Sequence, residues 1–252
     1  MTRKIRNLIA FLTIFPVGMT EDCLVDAADL MYLFPAVGAL IGFIAGLFTF
    51  AFMHVLPSLV VGAISCGFIL LLTGLHHMDG LLDFGDGLMC HGLPERKIEA
   101  MHDKQTGTGG FMLGSITVLI TALCISQLDT RIVLQGLTMA EAFAKLSMVI
   151  LAWSGRSAHE GMNTYFINAM HRSPRKLRLA ISLAISLTIA LICLKTAGLI
   201  VLGASLVTAL VILKVSNRHF NGITGDVMGA SNELTRMASL LVILVLKSTG
   251  YI

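Results

Sequence analysis

The sequence predicts an all-α, polytopic membrane bundle of about seven transmembrane helices with a cytoplasmic N-terminus. Composition gives the class: of 252 residues, 56% are hydrophobic and only 13% charged, against about 25% charged in soluble domains. Mean hydropathy is +0.84. The apolar runs are continuous rather than alternating, which argues for helices over a membrane β-barrel. Lys and Arg gather on alternate connections, as the positive-inside rule requires. No Pro/Gly/Ser-rich linker divides the chain, so residues 1–252 read as one domain.

Residues 5–18 are apolar but shorter than the roughly 20 residues a span needs. Preceded by Arg3, Lys4 and Arg6, they read as an interfacial helix. Pro16 interrupts the run and no small-residue cleavage site follows, so no processing is expected. Asp22, Asp26 and Asp29 then mark a polar connection, read as a solvated or N-capping acidic face. Residues 32–56 form the first span, where Gly38, Gly42 and Gly46 repeat the spacing that permits close helix packing. The chain turns at Pro57-Ser58 and returns over 59–75. Further spans run over 111–128 and 132–153, then 179–194 and 199–213 as a hairpin around Lys195, and finally 237–251. The five cysteines are scattered without a C-x-x-C pair, so neither a structural disulfide nor a thiolate metal site is expected.

With the N-terminus inside, fourteen Lys and Arg residues fall on inside connections, while Arg131, Lys195 and Lys247 stay outside. This topology puts three long polar segments, 74–110, 154–178 and 214–236, on one cytoplasmic face of a cell membrane. They can therefore build one site.

The first segment carries Asp79, Asp83 and Asp86 at i, i+4 and i+7, one face of a helix. Like charges stacked this way repel, and a hard divalent cation such as Mg2+ or Mn2+ converts the repulsion into ligation. Gly80 and Gly87 suggest close approach of a ligand or a neighbouring helix. His76 is either a cap of the preceding span or a ligand contact. The run Lys104, Gln105, Thr106, Gly107, Thr108, Gly109, Gly110 precedes a helix and could cradle an anion on its amides, although it lacks the Walker A order. Glu141 and Lys145 lie at i and i+4 inside an apolar span, where they either neutralise each other or send Lys145 to a substrate phosphate. Glu160 stands in the second polar segment, and the basic run from His171 to Arg178 reads as an anchor on anionic lipid. In the third, Asp226 sits beside Thr224 and Gly225, with Glu233 two turns later. Carboxylates, glycine loops and basic groups on one face suggest Mg2+-dependent transfer between phosphate-bearing substrates. The residues alone do not name those substrates.

Four motifs in fixed order, DGLLDFGDG, ERKIEAMHDKQTGTGG, EGM and GITGDVMGASNE, closely resemble the cobalamin synthase family, the adenosylcobinamide-GDP ribazoletransferases. The resemblance covers almost the whole chain. It implies that α-ribazole, or its 5′-phosphate, displaces GMP from adenosylcobinamide-GDP to give adenosylcobalamin or its 5′-phosphate, with Mg2+ as cofactor. It also implies Asp79, Asp83 and Asp86 as metal ligands, with Asp83, Asp86 and Asp226 catalytic. It matches Lys104, Gly107, Gly109, Glu160 and Gly225 to the family's motifs as substrate contacts, to which the reading of the residues adds His76, Thr106, Lys145 and Thr224. The last motif departs from the family pattern: Asn221 precedes Gly222, and Arg236 stands where a second glutamate is usual after Glu233. The expected partners are the two substrates and the lipid bilayer; nucleic acid is not expected and a homo-oligomer is left open. Two other readings remain. A CDP-alcohol phosphotransferase would need an Ala-Arg and a second aspartate pair that the sequence lacks, and a cation transporter would place its charges near the bilayer midplane.

Overall fold

The computed structural model describes residues 2–252. These form eleven α-helices, a 3-10 turn at Met31–Leu33 and an isolated parallel bridge between Ser157 and Ile223. The helices are α1 (Thr2–Leu12), α2 (Cys23–Asp29), α3 (Phe34–Phe52), α4 (Ser58–Leu72), α5 (His76–Met89), α6 (Pro94–Met101), α7 (Thr108–Ser126), α8 (Val133–Ser154), α9 (Met162–His171), α10 (Arg175–Phe220) and α11 (Gly225–Ser248).

The axis of the bundle is α8, buried without interruption from Met139 to Ala152 and wrapped by α3, α10 and α11. The α3 glycines make the closest of these contacts. A Cβ added at Gly38 would stand 2.5 Å from the Glu141 carbonyl oxygen, and one at Gly42 would run into the Leu137 backbone. Removing side chains on this face lets two helix backbones touch, as the G-x-x-x-G spacing predicts.

The contact brings the charges of α8 against those of α11. Glu141, Lys145, Glu233 and Arg236 are each at most 2% exposed. Arg236 pairs with both Glu141 and Glu233, while Lys145 Nζ lies 3.6 Å from Glu141 and donates to Asn232 Oδ1 at 2.6 Å. Two cations and two anions therefore close on themselves, which is the condition under which buried charge is tolerated. The expectation that Lys145 reaches a substrate phosphate is corrected by this geometry: its ammonium is sealed in the core and already partnered. Arg236, the departure from the family pattern, is the residue that completes the charge balance.

Among the described residues five helices are long and apolar enough to cross a membrane, and six spans result if the bent pair α4–α5 is one. One of them crosses twice. Within α10, Leu194 and Lys195 leave the helical region, and a Cβ at Gly198 would collide with the Ala190 backbone. Residues eight apart in a straight helix are about 12 Å apart along the axis, so the two halves fold back on each other as the expected hairpin. The chain is thus a multi-pass helical membrane protein.

Two features differ from expectation. The acidic connection is solvated only in part: Asp22 is exposed, but Asp26 is 2% exposed and accepts from Asn7 Nδ2 at 2.9 Å, and Arg3 and Lys4 pair with Asp22, Asp26 and Asp29. The bond to Asp29 holds the Lys4 ammonium above its ordinary range. These pairs clamp α1 onto α2. The return span also ends early: Gly74 and Leu75 both have left-handed backbone, and α5 leaves α4 at 96°. With 15 residues, α4 is about 22 Å long, short of the about 30 Å hydrocarbon thickness.

Candidate active site

The bend lays α5 across the N-terminal ends of α7 and α11. Glycines set each crossing. A Cβ at Gly80 would lie 2.9 Å from Asp226 Cα, and one at Gly85 would lie 2.8 Å from Gly110 Cα. The glycines interleaved among the aspartates therefore serve helix approach, and through it they draw Asp226 of α11 up to α5. Asp83, half-buried, has Asp226, Asp79 and Asp86 as its charged neighbours. Asp79 faces solvent. Thr224 caps α11, its hydroxyl accepting from the Val227 amide at 3.1 Å and donating to Asp226 Oδ2 at 3.3 Å.

The 104–110 loop does cradle an anion, but the anion belongs to the chain. Asp86 accepts from the Gly107 amide at 2.7 Å through one oxygen and from the Gly110 amide at 2.8 Å through the other. A carboxylate at the start of α7 satisfies two amides that lack intrahelical partners and complements the helix dipole. Gly107 and Gly109 thus sit where side chains would strike Asp86 and the Gly85 carbonyl. Lys104 and Thr106 remain exposed on the loop.

The other two polar segments reach the same end of the bundle. Ile223 of the third exchanges backbone bonds with Arg156 and Ala158 of the second, at 2.8 and 3.0 Å. Asn163 fixes the joint by donating to the Ile223 carbonyl at 2.8 Å. The first segment meets the second through the His102 and His159 rings, 5.3 Å apart edge to face. It meets the third through Lys97 and His219, 2.8 Å apart. The far end of the bundle carries a separate set, with Lys247 on Asp129 at 3.3 Å and Tyr251 on Thr196 at 3.3 Å. Asp79, Asp83, Asp226, Lys104 and Glu160 accordingly share one face, as the sequence topology expects.

Several residues stand elsewhere than expected. Thr224 is fully buried as a cap, so its role is to hold Asp226 rather than to meet substrate. His76 is exposed at the α4–α5 corner beside Gly74. His77 is the buried histidine of the pair, and its Nδ1 has no hydrogen-bond partner among the described residues. The partners of Asn163, His102 and His159 are not legible in the sequence, because nothing in local spacing reports contacts some 60 residues away.

The pattern of the cobalamin-5-phosphate synthase family matches residues 4–244. The chain belongs to that family. An adenosylcobinamide-GDP ribazoletransferase of Methanococcoides burtonii is 34% identical over 251 residues, covering 96% of this chain and 91% of that protein. One of Methanocella arvoryzae is 35% identical over 252 residues, covering 94% and 93%. No solved structure matches the chain. Family membership makes the chain a transferase of cobalamin synthesis.

Proposed function

We propose that this chain transfers the adenosylcobinamide-phosphate part of adenosylcobinamide-GDP to α-ribazole or its 5′-phosphate, releasing GMP, on the cytoplasmic face of a cell membrane. The observation that carries the proposal is the convergence of Asp79, Asp83 and Asp226 where α5 crosses α11, on the face where all three polar segments meet. The relatives' names, which pair adenosylcobinamide-GDP with a ribazole group, support the same two substrates.

Mg2+ is the cofactor we assign. Among the described residues no three His, Cys, Asp or Glu side chains form a metal cage of their own. Mg2+ does not need one, because it commonly binds one or two carboxylates plus substrate phosphates and keeps several waters. Asp79 and Asp83 are hard oxygen donors of that kind. Asp86, expected as a third ligand, has both oxygens on loop amides and instead shapes the site. The cation would supply charge neutralisation on the pyrophosphate.

The chain itself contributes position and proton handling, which dominate phosphoryl transfer. A ribazole hydroxyl oxygen forms the new bond to the cobinamide-side phosphorus, the bond to the GMP oxygen breaks, and the hydroxyl proton passes to a basic group on this face. Asp226 is the acceptor we favour, since the Thr224 hydroxyl orients its carboxylate. Lys104 and the basic face attract the anionic donor. Membranes containing the chain, given both substrates and Mg2+, should release GMP in step with cobalamin or cobalamin phosphate. Absence of GMP release would refute the proposal, and cation flux without turnover would favour a transporter.

A further inference from the structure

A cavity of about 520 Å³ opens between α2 and α9, outside the acidic cluster. Its volume falls within the roughly 300–1,000 Å³ of small-ligand sites. The lining is graded. Val25, Ala28 and Ala169 give an apolar floor, Tyr165 a half-exposed aromatic wall, and Glu160 and Arg172 a charged rim. Arg172 lies 3.3 Å from Asp29 through a single guanidinium nitrogen, and its side chain is 66% exposed. Its other donors face solvent. The rim leads to the aspartates: His159, next to Glu160, packs edge to face on His102, and His102 neighbours Asp226.

Resting on the transfer reaction above, we propose that this cleft is the acceptor site, holding a benzimidazole-type nucleoside with its 5′-phosphate on Arg172. Size excludes the corrinoid, whose macrocycle with its nucleotide and adenosyl groups exceeds the cavity. A methylated benzimidazole edge has no hydrogen-bonding groups and packs on the valine and alanine surface, leaving Thr164 and Asn168, which also line the cleft, for the ribose. Tyr165 offers a stacking face. Glu160 accepts from ribose hydroxyls, and Arg172 is suited to the two-pronged hold that guanidinium makes on phosphate.

The test uses the full chain in lipid nanodiscs, with Tyr165→Ala, Arg172→Ala and Ala169→Phe, measuring GMP release with each substrate titrated in turn against a saturating concentration of the other. Tyr165→Ala should raise the acceptor KM about tenfold, leaving the donor KM within about twofold. Arg172→Ala should raise the KM of ribazole 5′-phosphate roughly ten- to hundredfold, with little effect on unphosphorylated ribazole. Both side chains are exposed, so these variants stand even if Ala169→Phe fails to fold. Equilibrium dialysis of ribazole 5′-phosphate alone tests the cleft independently of turnover. Saturable binding, weakened in both variants, supports the cleft even if the wild type releases no GMP, a result that would overturn only the transfer reaction. Unchanged acceptor KM and binding in both variants, or a rise confined to the donor KM, would overturn the acceptor assignment.

Discussion

Replacing Asp86 with asparagine separates a ligand or proton-transfer role from a role in holding the loop. In the wild type both carboxylate oxygens accept amide protons, from Gly107 at 2.7 Å and Gly110 at 2.8 Å. Asparagine keeps one acceptor and turns an NH2 group toward the other amide, so one charge-assisted bond becomes a donor–donor contact. Losing such a bond costs about 1.5–3 kcal/mol, and removing the negative charge from the α7 N-terminus adds about 0.3–1 kcal/mol. The sum is about 2–4 kcal/mol, or roughly 5–15 °C in melting temperature for a chain of this size. Hydrogen exchange at Gly107 and Gly110, read with and without Mg2+, is the assay, together with a melting curve in detergent. We expect both amides to lose protection and the melting temperature to fall by the same amount whether or not Mg2+ is present. Unchanged exchange and melting, combined with lost transfer, would refute the loop role and return Asp86 to the metal or the substrate.

Breaking the core network should be more damaging. Arg236→Met leaves Glu141 and Glu233 buried without their shared cation, a loss of about 3–5 kcal/mol, and should reduce folded protein recovered from membranes. Adding Glu141→Gln to it should cost less than the two single changes together, which a double-mutant cycle on urea or thermal unfolding would show. Gly80→Val should force α5 away from Asp226, whose Cα lies 2.9 Å from the added Cβ position, and so lower turnover more than stability. At the opposite end, burial works against the Asp129 carboxylate, but the Arg131 amide and Lys247 hold it below its ordinary value. A lowered folded pKa means its contribution is present above the unfolded value and fades as pH falls through the folded one. The pair is nearly half exposed on the Asp129 side, so Lys247→Met should cost under about 1 kcal/mol at neutral pH and progressively less as pH falls through the folded value, by unfolding measurements across pH.

Much of the architecture was legible because the bilayer forces long apolar helices and sorted charge. The spans, the Lys195 hairpin and the gathering of three polar segments on one face all follow from those two constraints. The Gly38, Gly42 and Gly46 face also reads directly, since a stripe of missing side chains has few other uses. Partners distant in sequence were hidden. The run 104–110 announces an anion cradle, yet spacing alone does not distinguish a substrate phosphate from the carboxylate of Asp86. Glu141 and Lys145 look like a self-sufficient pair until Arg236, 95 residues beyond Glu141, enters between the two helices. The bend at Gly74-Leu75 was invisible for another reason. Leucine rarely takes a left-handed conformation, at a cost on the order of 1 kcal/mol, and here packing of α5 across two helix ends imposes it. Asp26 was misread because its partners, Arg3, Lys4 and Asn7, belong to a helix that folds back over it.

The proposed function puts phosphoryl transfer at the acidic crossing of α5 and α11. The most direct measurement is GMP release by Asp83→Asn against wild type in reconstituted membranes, with both substrates and a Mg2+ titration. Asparagine preserves the shape of Asp83 and removes its charge. The expected result is Mg2+-dependent release by the wild type and its loss in a variant that remains folded and membrane-inserted. Near-normal Mg2+-dependent turnover by Asp83→Asn would contradict it.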